Sequence, residues 1–120
     1  MKYRVLDDDK NIVQVDMDEK IADAQAALDL IASVFYETNS NRLVLNKSCL
    51  TDDFFVLRTG LAGEVLQKFI NYRVKVSFVG DYSDYTSKSL KDFIYESNNG
   101  NDIFFVSTIE EAVKKLKNAT

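Results

Sequence analysis

The chain has 120 residues, a net charge of −4 and one cysteine, Cys49, and it contains no histidine, proline or tryptophan. This length suits a single domain over residues 1–120. The missing histidine and the lone cysteine exclude histidine-based catalytic triads, common zinc sites and internal disulfides, so we expect no metal and no cofactor. The acidic charge disfavours nucleic acid as a partner, no apolar run is long enough to cross a membrane, and the lone cysteine and the absence of an apolar leader favour the cytoplasm.

The first part of the chain predicts a β-hairpin and an amphipathic helix. Short β-rich runs at residues 3–7 and 11–16 flank a polar segment, which is typical of a tight hairpin. In residues 21–37, five apolar side chains fall at helical spacing and are expected to face the core: Ile21, Ala24, Leu28, Ile31 and Phe35. Residues 39–41 end this helix, and residues 42–46 predict a buried strand.

Two features precede the second helix, which we predict from about residue 60 to residue 70. Cys49 is expected to be a small buried residue, because no histidine is present to activate it as a nucleophile. Residues 51–57 predict one short helical turn, with Thr51 or Asp52 as its N-cap. The second helix has a predicted apolar stripe that consists of Leu61, Val65, Leu66, Phe69 and Ile70.

The last part of the chain alternates strands with helices. Residues 74–80 predict a central strand, and residues 81–87 a polar loop in which Ser83 or Thr86 caps the helix over residues 88–97. Residues 98–100 are expected to end that helix, since Gly100 is able to adopt a positive φ. Residues 102–106 predict the last strand, and Thr108 and Glu111 predict a capping box at the start of the last helix. Five aromatic residues are expected in the core: Phe54, Phe55, Tyr72, Phe104 and Phe105.

The order of these elements predicts the fold class. The order β-β-α-β-α-β-α-β-α indicates a single α/β domain with one mixed, mainly parallel sheet that is opened by a β-hairpin. In a parallel sheet, the loops that follow the carboxyl ends of the strands lie at one edge. We therefore expect residues 46–60, 80–87 and 107–108 to share one polar surface.

Residues 54–100 carry a distinctive series of motifs: TGLAGE, LQKF, NYRVK, VGDYS, YTSKSL and DFIYESN. Together with QAALDLI in the first helix and IFFV near the end of the chain, these motifs resemble a family of small bacterial proteins classed as domain of unknown function 4180. The resemblance covers nearly the whole chain. It implies an uncharacterised protein and assigns no catalytic residue, because the family has no established activity.

The order of elements is also similar to that of STAS domains, the fold of anti-sigma-factor antagonists. Those domains carry a Ser or Thr followed by Gly at the start of the helix after the third strand, where Thr59 and Gly60 stand here. In the antagonists this hydroxyl is phosphorylated and controls partner binding, so the resemblance implies a STAS-like fold and a phosphosite at Thr59. The chain differs at Arg58, where an acidic residue usually stands, and in its long segment 47–57.

The segment TGLAGE, residues 59–64, has three competing interpretations. In the first, Thr59 caps the helix while Gly60 and Gly63 allow close packing. In the second, the start of the helix binds an anion. In the third, Thr59 is phosphorylated and Arg58 pairs with the phosphate. The ligand interpretation selects a candidate site that consists of Arg58, Thr59, Gly60, Asp81, Tyr85, Ser87 and Lys88.

These features favour a non-enzymatic regulatory or protein-interaction module of the cytoplasm, with an unidentified protein as its partner. Its active surface is expected around Thr59 and residues 81–88. The alternative is a small polar or anionic ligand-binding protein, or an enzyme, that uses residues 58–60 and 81–88 of the same edge. A third hypothesis is a homodimer formed through a sheet edge such as the first hairpin.

Overall fold

The computed structural model describes residues 1–120, which form five strands and four helices. The strands are β1 (Lys2–Asp7), β2 (Ile12–Asp16), β3 (Arg42–Asn46), β4 (Lys75–Val79) and β5 (Ile103–Val106). The helices are α1 (Ala24–Thr38), α2 (Leu61–Asn71), α3 (Lys88–Asn99) and α4 (Ile109–Asn118). The sheet has the order β1-β2-β3-β4-β5, in which β1 and β2 are antiparallel and all later neighbours are parallel. The predicted α/β class with a mixed, mainly parallel sheet is therefore confirmed.

The sheet separates two hydrophobic clusters. Because right-handed crossovers add the parallel strands in one direction, α1, α2 and α3 cover one face and α4 returns across the other. Neighbouring residues of one strand serve opposite clusters: Val13 and Phe105 belong to the first, Ile12 and Phe104 to the second. Both faces of the inner strands are buried, which explains why these strands appear in the sequence as continuous apolar runs.

Helix α1 buries a different stripe from the predicted one. Its buried side chains are Ala27, Leu30, Ile31 and Val34, whereas Phe35 is 54% exposed. The helix is apolar around most of its circumference, so the periodicity alone does not choose between two adjacent stripes. Leu28 and Phe35 instead line a groove on the surface. The predictions that Ile70 and Tyr72 are buried are also wrong, since both side chains are exposed.

The loop before α3 uses a different cap from those predicted. Ser87, and not Ser83 or Thr86, is the N-cap, and its hydroxyl oxygen accepts a hydrogen bond from the amide three residues on. Ser83 is not the cap because its hydroxyl donates a hydrogen bond within the loop. At the other end, α3 stops at Asn99 with Gly100 as its C-cap, as predicted, and the φ of Gly100 is −84°, so the positive φ that glycine allows is not used.

Both ends of α4 are fixed by side chains. The Thr108 hydroxyl oxygen accepts a hydrogen bond from the Glu111 amide at 3.1 Å, as in the predicted capping box. The Glu111 carboxylate accepts from the Ser107 hydroxyl at 2.8 Å instead of from the Thr108 amide, so only half of the box forms. At the C-terminal end, the Arg42 guanidinium donates to two main-chain carbonyls, including that of Ala119 at 3.1 Å. A cation at this end of a helix suits the helix dipole.

The two edges of the sheet differ. At β5, the Asn98 side chain takes the place of a neighbouring strand: its nitrogen donates to the Phe105 carbonyl at 3.0 Å and its oxygen accepts from the Phe105 amide at 2.7 Å. At β1, no side chain fills this role, and Lys2 and Arg4 lie along the strand. Charges on an edge strand oppose its pairing with another strand. One edge is therefore capped by hydrogen bonds and the other is protected only by charge.

Candidate functional site

Two long connections meet at the carboxyl edge, the side of the sheet at which the parallel strands end. Residues 47–60 connect β3 to α2 through three short 3₁₀ turns, and residues 80–87 connect β4 to α3. Phe55 of the first connection stacks on Tyr85 of the second, with ring centroids 5.0 Å apart. The two polar loops that the element order places on one surface are thus neighbours in the structure.

A lysine side chain lies at the centre of this contact. The Lys47 ammonium is 4.7 Å from the ring centroid of Tyr85 and 5.2 Å from that of Tyr82. The Phe55 ring centroid is 5.5 Å away, and the ammonium donates a hydrogen bond to the Asp81 carbonyl at 2.6 Å. A cation within about 6 Å of an aromatic ring is attracted by the ring quadrupole. We call Lys47, Phe55, Tyr82 and Tyr85 the Lys47 cage, and this cage fastens the two connections together.

The first connection is anchored in the core by Phe54. This side chain is fully buried, and its ring centroid lies 6.2 Å from that of Phe78 and 6.3 Å from that of Phe105. Phe54 belongs to the 3₁₀ turn Asp52–Phe55, and Thr51 occupies the N-cap position of this turn. The Thr51 hydroxyl is buried and makes no hydrogen bond, so the predicted capping bond is absent. The turn is therefore held by the packing of Phe54 and not by a cap.

Gly80 leaves room for the Lys47 side chain. A Cβ atom at position 80 would lie 2.4 Å from the Cβ atom of Lys47 and 2.9 Å from its Cδ atom. Protein interiors are packed so closely that such an overlap has to be relieved by moving one of the two chain segments. Glycine at this position is thus a requirement of the cage.

Thr59 ends the 3₁₀ turn Leu57–Thr59, directly before Gly60, the N-cap residue of α2. Its hydroxyl oxygen accepts a hydrogen bond from the Leu61 amide at 3.2 Å. The same hydroxyl is a donor to the carbonyls of Val56, at 2.8 Å, and Asp53, at 3.0 Å. Gly60 has a φ of 78°, a left-handed conformation that glycine adopts without strain. Thr59 is exposed, so its hydroxyl is at once engaged in the turn and open to solvent.

The close-packing interpretation of the two glycines is wrong. A Cβ atom added to Gly60 or Gly63 would meet no other atom within 4 Å. Gly63 lies exposed in the first turn of α2, where glycine is less stable than alanine by about 1 kcal/mol. The start of α2 is therefore open to solvent on the side of these glycines.

The charged candidate residues make mainly local contacts. The hydroxyl and amide of Ser83 donate to the Asp81 carboxylate at 2.6 and 2.9 Å, and these bonds hold the pKa of Asp81 below its usual value. The Lys88 ammonium pairs with Asp92 at 2.6 Å, and this hydrogen bond raises the pKa of Lys88. Arg58 is exposed and takes part in none of the four ion pairs of the chain. Its guanidinium is therefore the free cation of the candidate set.

Cys49 belongs to the first connection, at the end of the 3₁₀ turn Lys47–Cys49, and it is buried, as predicted. Burial raises the pKa of its thiol to about 12. Since the thiolate and not the thiol is the nucleophile, Cys49 is unreactive in the folded protein at neutral pH. Cys49 therefore contributes to the packing beneath the carboxyl edge and is not a candidate nucleophile.

The raised pKa of Cys49 makes the stability depend on alkaline pH. A thiol in the unfolded chain ionises at about pH 8.5. Because the folded pKa is higher, the contribution of Cys49 is fully present below pH 8.5 and is lost as the pH rises toward 12. Between pH 8 and about 10.5, we expect the free energy of unfolding to fall by about 2–3 kcal/mol more in the wild type than in Cys49→Ala. Urea denaturation at each pH measures this, and parallel pH profiles would contradict it.

The main depressions of the surface lie away from the candidate residues. None of the three principal depressions is lined by a residue of the candidate set. No three cysteine, aspartate or glutamate side chains come close enough together to hold a metal ion. No helix combines the length and the apolar composition that crossing a bilayer requires.

Sequence reasoning missed Lys47. In the sequence this residue stands alone between a strand and a short turn, and its ring partners are distant from it along the chain. The signal that points to it is the combination of Gly80 at a strand end with the tyrosine pair Tyr82 and Tyr85. A glycine directly after a strand indicates a close approach of another segment, and two nearby rings offer that segment a surface.

The strand order, the helices on both faces and the joined carboxyl-edge loops define a small α/β domain with a mixed sheet. The model of the family "Domain of unknown function (DUF4180)" matches residues 7–116. The chain therefore belongs to the DUF4180 family, as its motifs predict. No curated protein and no solved structure matches the chain significantly.

Proposed function

We propose that the protein is a non-enzymatic regulatory module of the cytoplasm, which binds a protein partner through the carboxyl edge around Thr59 and residues 81–88. The observation that carries this proposal is the Lys47 cage. Its lysine fills the space between the two connections and fixes them as one exposed surface. A fixed surface away from the main depressions suits the recognition of another protein better than the turnover of a small substrate.

Thr59 is the residue through which we expect regulation. It is exposed at the start of α2, where the helix dipole favours the charge of a phosphate, about −1.5 to −2. The neighbouring Arg58 supplies a free positive charge. Phosphorylation also removes the hydroxyl proton that Thr59 donates to the turn, so it changes both the charge and the local bonding of the edge. The similarity to STAS domains in element order and at Thr59–Gly60 supports the same role.

The regulatory role is tested by Thr59→Glu, which imitates the phosphate charge, and Thr59→Ala, which cannot be phosphorylated. We expect Thr59→Glu to reduce capture of the partner from cell extract at least about tenfold, because a rim charge changes electrostatic complementarity. Thr59→Ala is expected to retain capture. The readout is a native pull-down with quantitative mass spectrometry, together with phosphopeptide analysis of residue 59.

Gln67→Glu is the matched control, because it adds the same charge to an exposed position of the same helix, two turns away from its start. It is expected to capture the partner as the wild type does. Equal capture by all four chains, with no phosphate found on Thr59, would remove the regulatory proposal.

A second candidate function is the binding of a small anion at the same edge. The observation that favours it is the open start of α2 beside the free Arg58 guanidinium. A ligand that binds only the native state raises the melting temperature. Under this alternative, inorganic phosphate or a phosphorylated metabolite stabilises the wild type and not Arg58→Ala. A broad screen without any such shift would argue against it.

A further inference from the structure

A long groove lies at the opposite end of the molecule from the Lys47 cage. It has a volume of about 710 Å³ and runs between α1 and the turn that joins α2 to β4. Its walls are mainly apolar and include Leu28, Ile31, Ala32, Phe35 and Val74. Tyr36 and Tyr72 also line it, and these two side chains are 87% and 61% exposed. We call this surface the Tyr36 groove.

The Tyr36 groove exposes a contiguous apolar surface to water. Phe35 beside it is 54% exposed, so three adjacent aromatic side chains face water around one depression. Contiguous exposed apolar surface of this kind marks an interaction site in a soluble protein. Aromatic residues next to a pocket are also the usual anchors of a protein interface.

We infer that the Tyr36 groove is the interface of a symmetric dimer, with a second copy of this chain as its occupant. A projecting ring and an open groove lie side by side on the same surface. A two-fold axis across this surface seats Tyr36 of each copy in the groove of the other. Such isologous contacts need only one self-complementary patch, which is what the groove and its tyrosine provide.

The charges beside the groove support this occupant. Helix α1 carries the acids Asp29 and Glu37 and no basic residue, whereas the end of α2 and the following turn carry Lys68 and Arg73. In a two-fold arrangement that sets α1 of one copy against the end of α2 in the other, acids face bases at both rims. None of these four residues is used in an ion pair within the chain. Complementary charge of this kind fixes the orientation of two partners.

The exposed rings supply a substantial part of the area that a stable dimer interface needs. An aromatic side chain buries about 150–250 Å² when covered. With exposures of 54%, 87% and 61%, the three rings Phe35, Tyr36 and Tyr72 together offer roughly 400 Å² in each copy. A standard interface takes about 800 Å² from each partner. The rings alone supply about half of that area in each copy, before the groove walls are counted.

The sheet edges are poorer sites for the same association. The β5 edge is already occupied by the Asn98 side chain. In an antiparallel pairing of two β1 strands that is centred on residue 2, 3 or 4, basic side chains of Lys2 and Arg4 in one copy lie opposite those of the other copy. Like charges that lie opposite each other are destabilising. The Tyr36 groove is therefore a better candidate for the dimer interface than the edge of the first hairpin.

The dimer is tested by sedimentation velocity and native mass spectrometry of the purified full chain over a range of concentrations. We expect a reversible dimer in the wild type, and at least a tenfold increase of its dissociation constant in Tyr36→Ala. Tyr95→Ala is the matched control, because Tyr95 is 68% exposed on α3 and lies outside the groove. Its dissociation constant is expected to equal that of the wild type.

The orientation is tested by exchanging charges. Asp29→Lys and Arg73→Glu each weaken the dimer, and the double variant, which restores opposite charges across the two-fold axis, recovers it to within about threefold. If the wild type stays monomeric up to about 1 mM, the occupant of the groove is not a second copy and the inference is overturned. An undiminished dimer in Tyr36→Ala also overturns it. A double variant as weak as the single ones contradicts the two-fold arrangement.

Discussion

Replacing Phe54 with alanine is expected to lower the free energy of unfolding by about 3–5 kcal/mol. Phe54 lies in the connection between β3 and α2, but it is fully buried against rings from β4 and β5. Its removal leaves a cavity beneath the carboxyl edge that the neighbouring side chains fill only in part. Since small domains are stable by about 5–15 kcal/mol, this one change accounts for a large part of the total.

Urea denaturation followed by circular dichroism measures the effect of Phe54→Ala. Phe35→Ala is the comparison, because it removes the same ring from a position that is 54% exposed, and we expect it to cost less than half as much. Both variants are measured at low protein concentration, so that association through the Tyr36 groove does not contribute. Equal losses in the two variants would show that Phe54 does not anchor the edge.

Replacing Gly80 with alanine is expected to destabilise the protein by about 1–3 kcal/mol, the usual cost of overpacking. The new Cβ atom would lie 2.4 Å from the Cβ atom of Lys47, so the lysine and its ammonium have to move away from the three rings. The loss therefore combines steric strain with weaker cation–π contacts, which are worth about 0.5–2 kcal/mol.

Gly63→Ala is the matched control for Gly80→Ala, because it makes the same change with the opposite expected sign. A Cβ atom at Gly63 meets nothing within 4 Å, and alanine in a helix is more stable than glycine by about 0.5–1 kcal/mol. Thermal and urea unfolding of the two variants should thus move in opposite directions. Gly80→Ala with wild-type stability would contradict the close approach of Lys47.

The strands and their order along the chain were predictable because the signal for them is local. The segment 42–46 has the bounds of β3, and the apolar runs before residues 80 and 107 correspond to β4 and β5. Alternation of such runs with amphipathic segments is sufficient to predict a parallel sheet. The helix starts were harder, since the hydroxyl that caps α3 is Ser87 and not its neighbours. The loop contains three candidate hydroxyls, and the sequence alone does not show which of them caps the helix, because this depends on the conformation of the loop.

The buried face of α1 and the Lys47 cage were not predictable, for one physical reason. Both are decided by contacts between segments that are distant along the chain. Phe35 is exposed because the neighbouring element covers the other stripe of a helix with a broad apolar face. Lys47 meets rings that lie 8 to 38 residues away, and no periodicity within one segment reports such a contact.

The Asn98 side chain that caps β5 also limits how far this sheet is able to polymerise. A strand that arrives at β5 has to displace both hydrogen bonds between Asn98 and the Phe105 backbone before it gains any of its own. Addition at β1 joins two copies and leaves a capped β5 at each outer end. Head-to-tail growth, the route from exposed edges to fibres, is therefore blocked at its first step.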